Sequence, residues 1–433
     1  MKHFDGKDPK LFEKLGSQLT ASLRNPEVKN TVSGILERVQ VEGDAGLIAL
    51  TERFDDVIFA SDQLRVSAEE LHSSIENLSV EERSAIEEAI KNISTFHARG
   101  HPEDWISPNS HGGTFGERFY PIRRAGIYVP GGQVPLVSTV LMTTTLAKVA
   151  GVPEVVVVTP PRSDGTIDPT LLGTLAVSGV DEIYKVGGAQ AVAALAFGTE
   201  TVPAVDKIFG PGNAYVNEAK RQVFGIVGID LLPGPSEILV LADETARPAY
   251  VAAALLAQAE HGSGKENVFL VGTDQSILEQ VLLEVEKQIG ALTHRDAIRG
   301  VLERGFFIVF AASEERAVEV ANFVAPEHLE LQVDAVKVES FTAAITTAGA
   351  ILQGHDTPTV LGDFAAGPSH VLPTGRAARF SSGLRLSDFL RRSSTVHYDL
   401  EALRKADDII SRFSSMEKLD AHGHSLAIRL ENR

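Results

Sequence analysis

Residues 182–213 read EIYKVGGAQAVAALAFGTETVPAVDKIFGPGN. Glu182 to Val186 is a short run with β-branched and aromatic members, and it breaks at a glycine pair. The alanine-rich stretch from about 189 to 197 has the length and composition of a buried helix, and Lys207 to Phe209 is again a short strand pattern. Gly210-Pro-Gly-Asn213 then turns into a helical segment over about 213 to 223. Strand, helix, strand, helix with glycine turns between them predicts parallel strands joined by helical crossovers.

Working outward, Gly126 to Val129 and Glu154 to Thr159 read as earlier strands of the same sheet. A helix is expected at about 168 to 178, and Ile229 to Leu231 reads as a further strand. A second alternating series follows, with strands at Glu237 to Leu241, Asn267 to Val271, Phe306 to Phe310, Leu329 to Gln332 and Ala350 to Leu352. Continuous apolar runs of this kind are buried on both faces, so two helix-wrapped parallel sheets are predicted. Upstream lie helical patterns from Pro26, from Asp44 and from about Val80 to Gly100. Phe115 to Ile122 reads as a strand. Residues 1 to 24 form a polar arm too small to fold alone, expected to dock elsewhere, on a partner subunit for instance. The end of the chain, with a charged helical stretch from about Asp399 to Lys418, reads as an appendage.

Composition narrows the chemistry. At 433 residues and 43% hydrophobic content, the chain is long enough for more than one core. A formal net charge of −18 repels phosphate backbones and anionic lipid surfaces, so neither nucleic acid nor a membrane is an expected partner. No basic and apolar signal pattern opens the chain, and no run of about 18 apolar residues occurs, so a cytoplasmic location is expected. Cysteine is absent. That excludes disulfides, thiolate metal sites and a thiohemiacetal route from aldehyde to acid, leaving water as the nucleophile for any such step.

Four clusters carry the candidate chemistry. Gln258 and His261 share one face of a helix end, where they suit a divalent metal, although a histidine before glycine also suits a helix C-terminus. Ala325-Pro-Glu327-His328-Leu-Glu-Leu sets a carboxylate beside an imidazole just before a strand, so the two side chains diverge and can serve different protons. Asp363 and His370 occupy a glycine-rich loop after a strand, and open sheets keep their sites at the carboxyl ends of strands. His422 and His424 stand near the end. Gln258, His261, Asp363 and His422 together would suit zinc, manganese or cobalt, although thirteen histidines allow many such quartets. Tyr128-Val-Pro-Gly-Gly, Gly187-Gly-Ala-Gln190 and Gly210-Pro-Gly-Asn213 are turns at which backbone amides approach a phosphate, but none is the GxGxxG fingerprint. An incomplete nucleotide site is the most that these turns support.

Gln258-Ala-Glu-His261-Gly, Ala325-Pro-Glu327-His328-Leu-Glu-Leu, Gly362-Asp363 with His370-Val-Leu-Pro-Thr, Gly210-Pro-Gly-Asn213 and Asp420-Ala-His422 occur in the order found in one family. From about residue 26 to the end the chain resembles the histidinol dehydrogenases. The resemblance implies an NAD-dependent, four-electron oxidation of L-histidinol to L-histidine through L-histidinal, by a zinc-dependent homodimer with shared active sites and one zinc per subunit. It implies two incomplete Rossmann-like units, the first from 25–127 with 237–381 and the second from 128–236. It further implies an arm over 1–24 and a C-terminal dimerisation appendage over 382–433. Carried over by motif, the zinc ligands are Gln258, His261, Asp363 and His422, with His422 supplied by the partner subunit and His424 its rival. Tyr128, Gln190 and Asn213 match NAD contacts. Ser236 and Glu417 match substrate contacts alongside the ligands and His328, with His370 a less certain neighbour, and Glu327 and His328 match the catalytic pair. A branch of the same family acts on other polar alcohols such as sulfonated diols. A zinc hydrolase, which would need no dinucleotide, is the alternative from another class.

Overall fold

The computed structural model describes residues 1–19, 26–131, 135–261 and 264–431. Gly132 and Gly262, and residues 20–24 of the expected arm, lie outside them. Fourteen strands are named in chain order: β1 (Lys2–Asp5), β2 (Trp105–Pro108), β3 (Thr114–Pro121), β4 (Arg124–Tyr128), β5 (Glu154–Thr159), β6 (Glu182–Lys185), β7 (Lys207–Phe209), β8 (Gly228–Ile229), β9 (Glu237–Ala242), β10 (Asn267–Gly272), β11 (Phe306–Phe310), β12 (His328–Gln332), β13 (Ala350–Gln353) and β14 (Leu390–His397).

Both predicted sheets are present and both are fully parallel. One runs β6-β5-β4-β7-β8 and the other β1-β11-β10-β9-β12-β13. Numbered within each unit, the two share the order 3-2-1-4-5, with β1 added at one edge of the larger sheet. This is the doubly wound order with its sixth strand missing, the incomplete Rossmann-like arrangement expected. Every residue of β4 and β9 is buried, and the helix Gly188–Phe197 is apolar nearly all round because it is enclosed on several sides. Helix starts follow local chemistry. Asp168 accepts from the amides of Thr170 and Leu171 ahead of Pro169, and Ser79 with Glu82 forms a capping box at the start of Val80–Ala98.

The packing differs from the expected divisions in four places. The arm is part of its own chain's larger sheet: β1 pairs with β11 in the register Lys2 to Phe307, and Leu11 and Leu15 are fully buried in the core beneath. A four-residue strand suffices because β11 offers an unpaired parallel edge. The helices Pro26–Glu42 and Asp44–Asp55 pack on the five-stranded sheet, with Val32, Leu36 and Leu47 in one cluster with Tyr128 and Val156, and not with residues 237–381. The helix Val80–Ala98 covers the other face of that sheet, and a boundary at 127/128 would cut through β4. The C-terminal segment contributes a strand as well as helices, since β14 pairs antiparallel with β3 along its whole length and β2 completes a three-stranded sheet. Finally, the strand expected at Ile229 to Leu231 is only Gly228–Ile229, because β8 is a short edge strand.

The carboxyl edge of the five-stranded sheet is linked to the amino edge of the larger one. Asn217 Nδ2 donates to the Pro233 carbonyl at 2.5 Å, and the Gly234 amide donates to the Thr374 hydroxyl. No helix among the described residues is long and apolar enough to cross a membrane.

Candidate active site

The dinucleotide candidates gather at the carboxyl edge of the five-stranded sheet, beside the point where strand order reverses between β4 and β7. Tyr128 ends β4, is buried, and its hydroxyl accepts from the Gly188 amide at 3.2 Å; burial pushes its pKa up to about 12. Gln190 folds back over Gly188, whose φ of +64° and close approach to the glutamine amide leave no room for a Cβ. Asn213 caps the helix Ala214–Val223, accepting from Tyr215 and Val216. Beneath it, a fully buried Lys220–Asp230 ion pair holds Gly210 from both sides. Lys220 Nζ donates to the Gly210 carbonyl at 2.8 Å, and Asp230 accepts from the Gly210 amide at 2.7 Å. A Cβ at Gly210 would lie 2.1 Å from the Tyr128 carbonyl oxygen, so the glycine lets the second turn close against the first.

The acid and base candidates lie at the amino edge of the larger sheet. As read, the pair stands at the start of a strand, Glu327 just before β12 and His328 its first residue, and Glu237 begins β9. Asp363, expected in a loop at a strand's carboxyl end, lies instead in the helix Thr359–Phe364 and meets His328 at this amino edge. The backbone of one residue orients both side chains. The Glu237 amide donates to Glu327 Oε2 at 2.8 Å, and the Glu237 carbonyl accepts from His328 Nδ1 at 3.2 Å. His328 Nε2 then faces Asp363 Oδ1 at 3.4 Å, while Nδ1 lies 3.7 Å from Glu327 Oε2. Burial opposes charge on His328, but Glu327 and Asp363 outweigh it and raise the imidazole to about 9. Burial lifts Glu327 to about 7, partly offset by His328. Burial also works against the Asp363 charge, yet His328, His370 and His261 together hold that carboxyl below its usual range. Glu237, raised by burial to about 7, accepts from Asn267 and from the Gly375 amide. Sequence reading missed it, though an acid opening the apolar run Glu237-Ile-Leu-Val-Leu-Ala was a signal.

Gln258 and His261 close the same corner from the end of the helix Pro248–Ala259. The ring Nδ1 of His261 donates to the Gln258 carbonyl at 3.2 Å; in the neutral form this leaves a lone pair on Nε2, the arrangement that metal-binding histidines adopt. The Gln258 side-chain amide is buried with no partner for its nitrogen, a polar group set where a ligand would satisfy it. Turned over, that amide presents an oxygen. Amide oxygen, imidazole and anionic Asp363 carboxylate form a donor set that fits a divalent ion. Among the described residues no three His, Asp or Glu side chains suffice to hold one. His370 is close by, its Nδ1 donating to the Asp363 carbonyl at 3.1 Å.

The model for the histidinol dehydrogenase family matches residues 19–430. A histidinol dehydrogenase of Ruegeria pomeroyi is 44% identical over 409 residues, covering 94% of this chain and 93% of that one. One from Syntrophotalea carbinolica is 43% identical over 96% of both chains. The crystal structure of histidinol dehydrogenase from Elizabethkingia anophelis superposes with a TM-score of 0.94 at 36% identity, covering 100% of this chain and 98% of that one.

The chain belongs to the histidinol dehydrogenase family.

Within the family frame, the structure brings Glu327, His328, Asp363 and His370 into one cluster, with His261 near enough for its charge to act on Asp363. Ser236 adjoins it by chain position, half-buried directly before Glu237. His422, His424 and Glu417 are not brought to it by the single chain. They stand exposed, Glu417 at the end of the helix Asp407–Glu417 and both histidines on the helix Asp420–Glu431, and those helices pack on one another.

Proposed function

We propose that this enzyme oxidises L-histidinol to L-histidine through L-histidinal in the cytoplasm, as the closing steps of histidine biosynthesis. Tyr128, Gln190 and Asn213 would hold NAD, which when bound supplies the hydride acceptor, one molecule for each of the two oxidations. The observation that carries the reading is the Glu237 backbone, which holds Glu327 and His328 side by side with Asp363 at the imidazole's Nε2. Zinc, one per subunit, would be held by Gln258, His261 and Asp363 with His422 of the partner subunit, and when bound it supplies a template that grips the imidazole and amine of the substrate. Ser236 and Glu417 are assigned to substrate contacts.

His328 Nε2 takes the hydroxyl proton as the carbinol hydrogen leaves as hydride to NAD, giving the aldehyde. Glu327, one oxygen pinned by the Glu237 amide, takes a proton from water, whose oxygen adds to the aldehyde carbon. The hydrate surrenders a second hydride to a second NAD and a proton to the base, leaving the carboxylate. The chain has no thiol to intercept the aldehyde, which agrees with this route.

A homodimer is part of the proposal. Trp105, Ile106, Phe115 and Val396 on the antiparallel sheet, with Phe413 and Met416 on the C-terminal helices, form exposed apolar surface, Val396 and Met416 at 71% and 74%. Such a face, next to the helix bearing His422, suits a second copy. The test is product stoichiometry with the zinc-loaded protein. Two NADH per histidine formed are expected from histidinol, and negligible NADH from histidinol with turnover of a sulfonated diol would overturn the substrate.

A further inference from the structure

Strand β12 carries two buried polar side chains that the chemistry above does not use. Glu330 and Gln332 are each 1% exposed and alternate with Leu329 and Leu331, which enter the apolar core on the opposite face. Both polar residues face the segment leading to Asp363. Glu330 Oε2 accepts from the amide and the hydroxyl of Thr359, each at 3.1 Å. Gln332 Nε2 donates to Glu330 Oε1 at 2.8 Å, and Gln332 Oε1 accepts from His355 Nδ1 at 3.0 Å.

With the His328–Asp363 approach, the contacts form a ladder: 328 to 363, 330 to 359, 332 to 355. For the first two rungs the rails match in spacing, since alternate strand residues lie about 6.6 Å apart and residues four apart on the helix Thr359–Phe364 about 6 Å, while His355 lies in the turn before that helix. The helix Thr359–Phe364 is short, follows Pro358, and has no cap from its own neighbours. Glu330 supplies that cap from another element.

The geometry points to Glu330 as a positioning residue that, with Gln332, sets the register of the Asp363 helix against His328 and so fixes the cation corner. This rests on the zinc reading for its consequence but not for its structural content, and the two are separable by experiment. Cobalt(II) is titrated into metal-free dimer while amide hydrogen exchange is followed over residues 359–364, for wild type, Glu330→Gln, Glu330→Ala and Thr359→Val. Glu330→Ala is expected to weaken cobalt binding at least about tenfold and to speed exchange of these amides by a similar factor, through loss of an outer-shell support. The NAD KM should stay unchanged while kcat falls. Glu330→Gln, which keeps one acceptor, should recover part of both losses, and Thr359→Val, which removes one donor, should show a smaller loss if Glu330→Ala does not fold. Cobalt affinity and exchange within twofold of wild type in the folded variants would overturn the assignment. Wild type that binds no cobalt would overturn the metal reading alone, and the ladder would then be judged on exchange.

Discussion

The carbonyl oxygen of Glu237 accepts a hydrogen bond from His328 Nδ1 at 3.2 Å, so the imidazole turns Nε2 toward Asp363 Oδ1, 3.4 Å away. That nitrogen must be neutral to take an alcohol proton, and Glu327 and Asp363 raise its affinity for one, to about 9. Activity should therefore climb with pH toward that value and level off above it, with the midpoint displaced downward when a cation engages Asp363. A rate profile flat from about pH 6 to about pH 10 would remove His328 as the base. His328→Asn should cost about two to four powers of ten in kcat.

Glu327 has a narrower task, because its protonation matters when water adds to the aldehyde. Glu327→Gln should slow oxidation of supplied histidinal by about a hundredfold and that of histidinol to the aldehyde much less. Separate single-turnover measurements on the two substrates decide this, and equal losses would withdraw the role.

If His422 acts across the dimer, two dead proteins should repair one another. His261→Asn and His422→Asn homodimers are each expected to be inactive, and after subunit exchange half the dimers should contain one intact site. About a quarter of wild-type activity is the statistical expectation for free exchange. No recovery in verified mixed dimers would place His422 in its own subunit's site or outside the site.

The Lys220–Asp230 pair is fully buried and holds the Gly210 turn. Lys220→Met leaves Asp230 charged without its partner, which should cost about 3 to 5 kcal/mol in unfolding by denaturant. The variant should also bind NAD more weakly, since the turn carrying Asn213 loses its anchor. Unchanged stability would mean that the turn is held by other contacts.

Acid sensitivity has an identifiable contributor in His97, buried with no partner for Nε2 and lowered by burial to about 4 from an ordinary 6.5. The unfolded chain takes up this proton first as pH falls. Stability is therefore fully present above about 6.5 and drains away down to about 4, by roughly 3 kcal/mol. His97→Leu should flatten that part of the stability curve, measured as urea midpoints at several pH values.

The parallel sheets were readable because strands such as Val155 to Val158 and Ile238 to Leu241 are unbroken apolar runs between glycine turns. Glu327, His328 and Asp363 could be singled out because carboxylate and imidazole sat in motifs, and the structure adds their convergence. Less could be read where a long-range partner decides. Four residues of β1 carry little pattern and become a strand only because β11 has a free edge. Placement of the helices from Pro26 onward depended on which sheet offered a matching groove, which periodicity does not reveal. Glu237, Glu330 and Gln332 were hidden inside strand patterns, where a polar residue is normally read as solvent-facing.

The shared winding of the two sheets, turned so that unlike edges meet across the cleft, sorts electrical character between its walls. At the carboxyl edge of the five-stranded sheet, the helices after β6 and β7 begin at Gly188 and Ala214, and under the proposed reading the positive ends of their peptide dipoles would attract the pyrophosphate of NAD. At the amino edge of the larger sheet the helix carrying Gln258 finishes, and its negative end would favour the dication and ammonium group proposed for that corner. On the proposed reading, a single winding pattern, used once in each orientation, would thus draw anionic cofactor and cationic substrate to different sheets, with the hydride crossing between them.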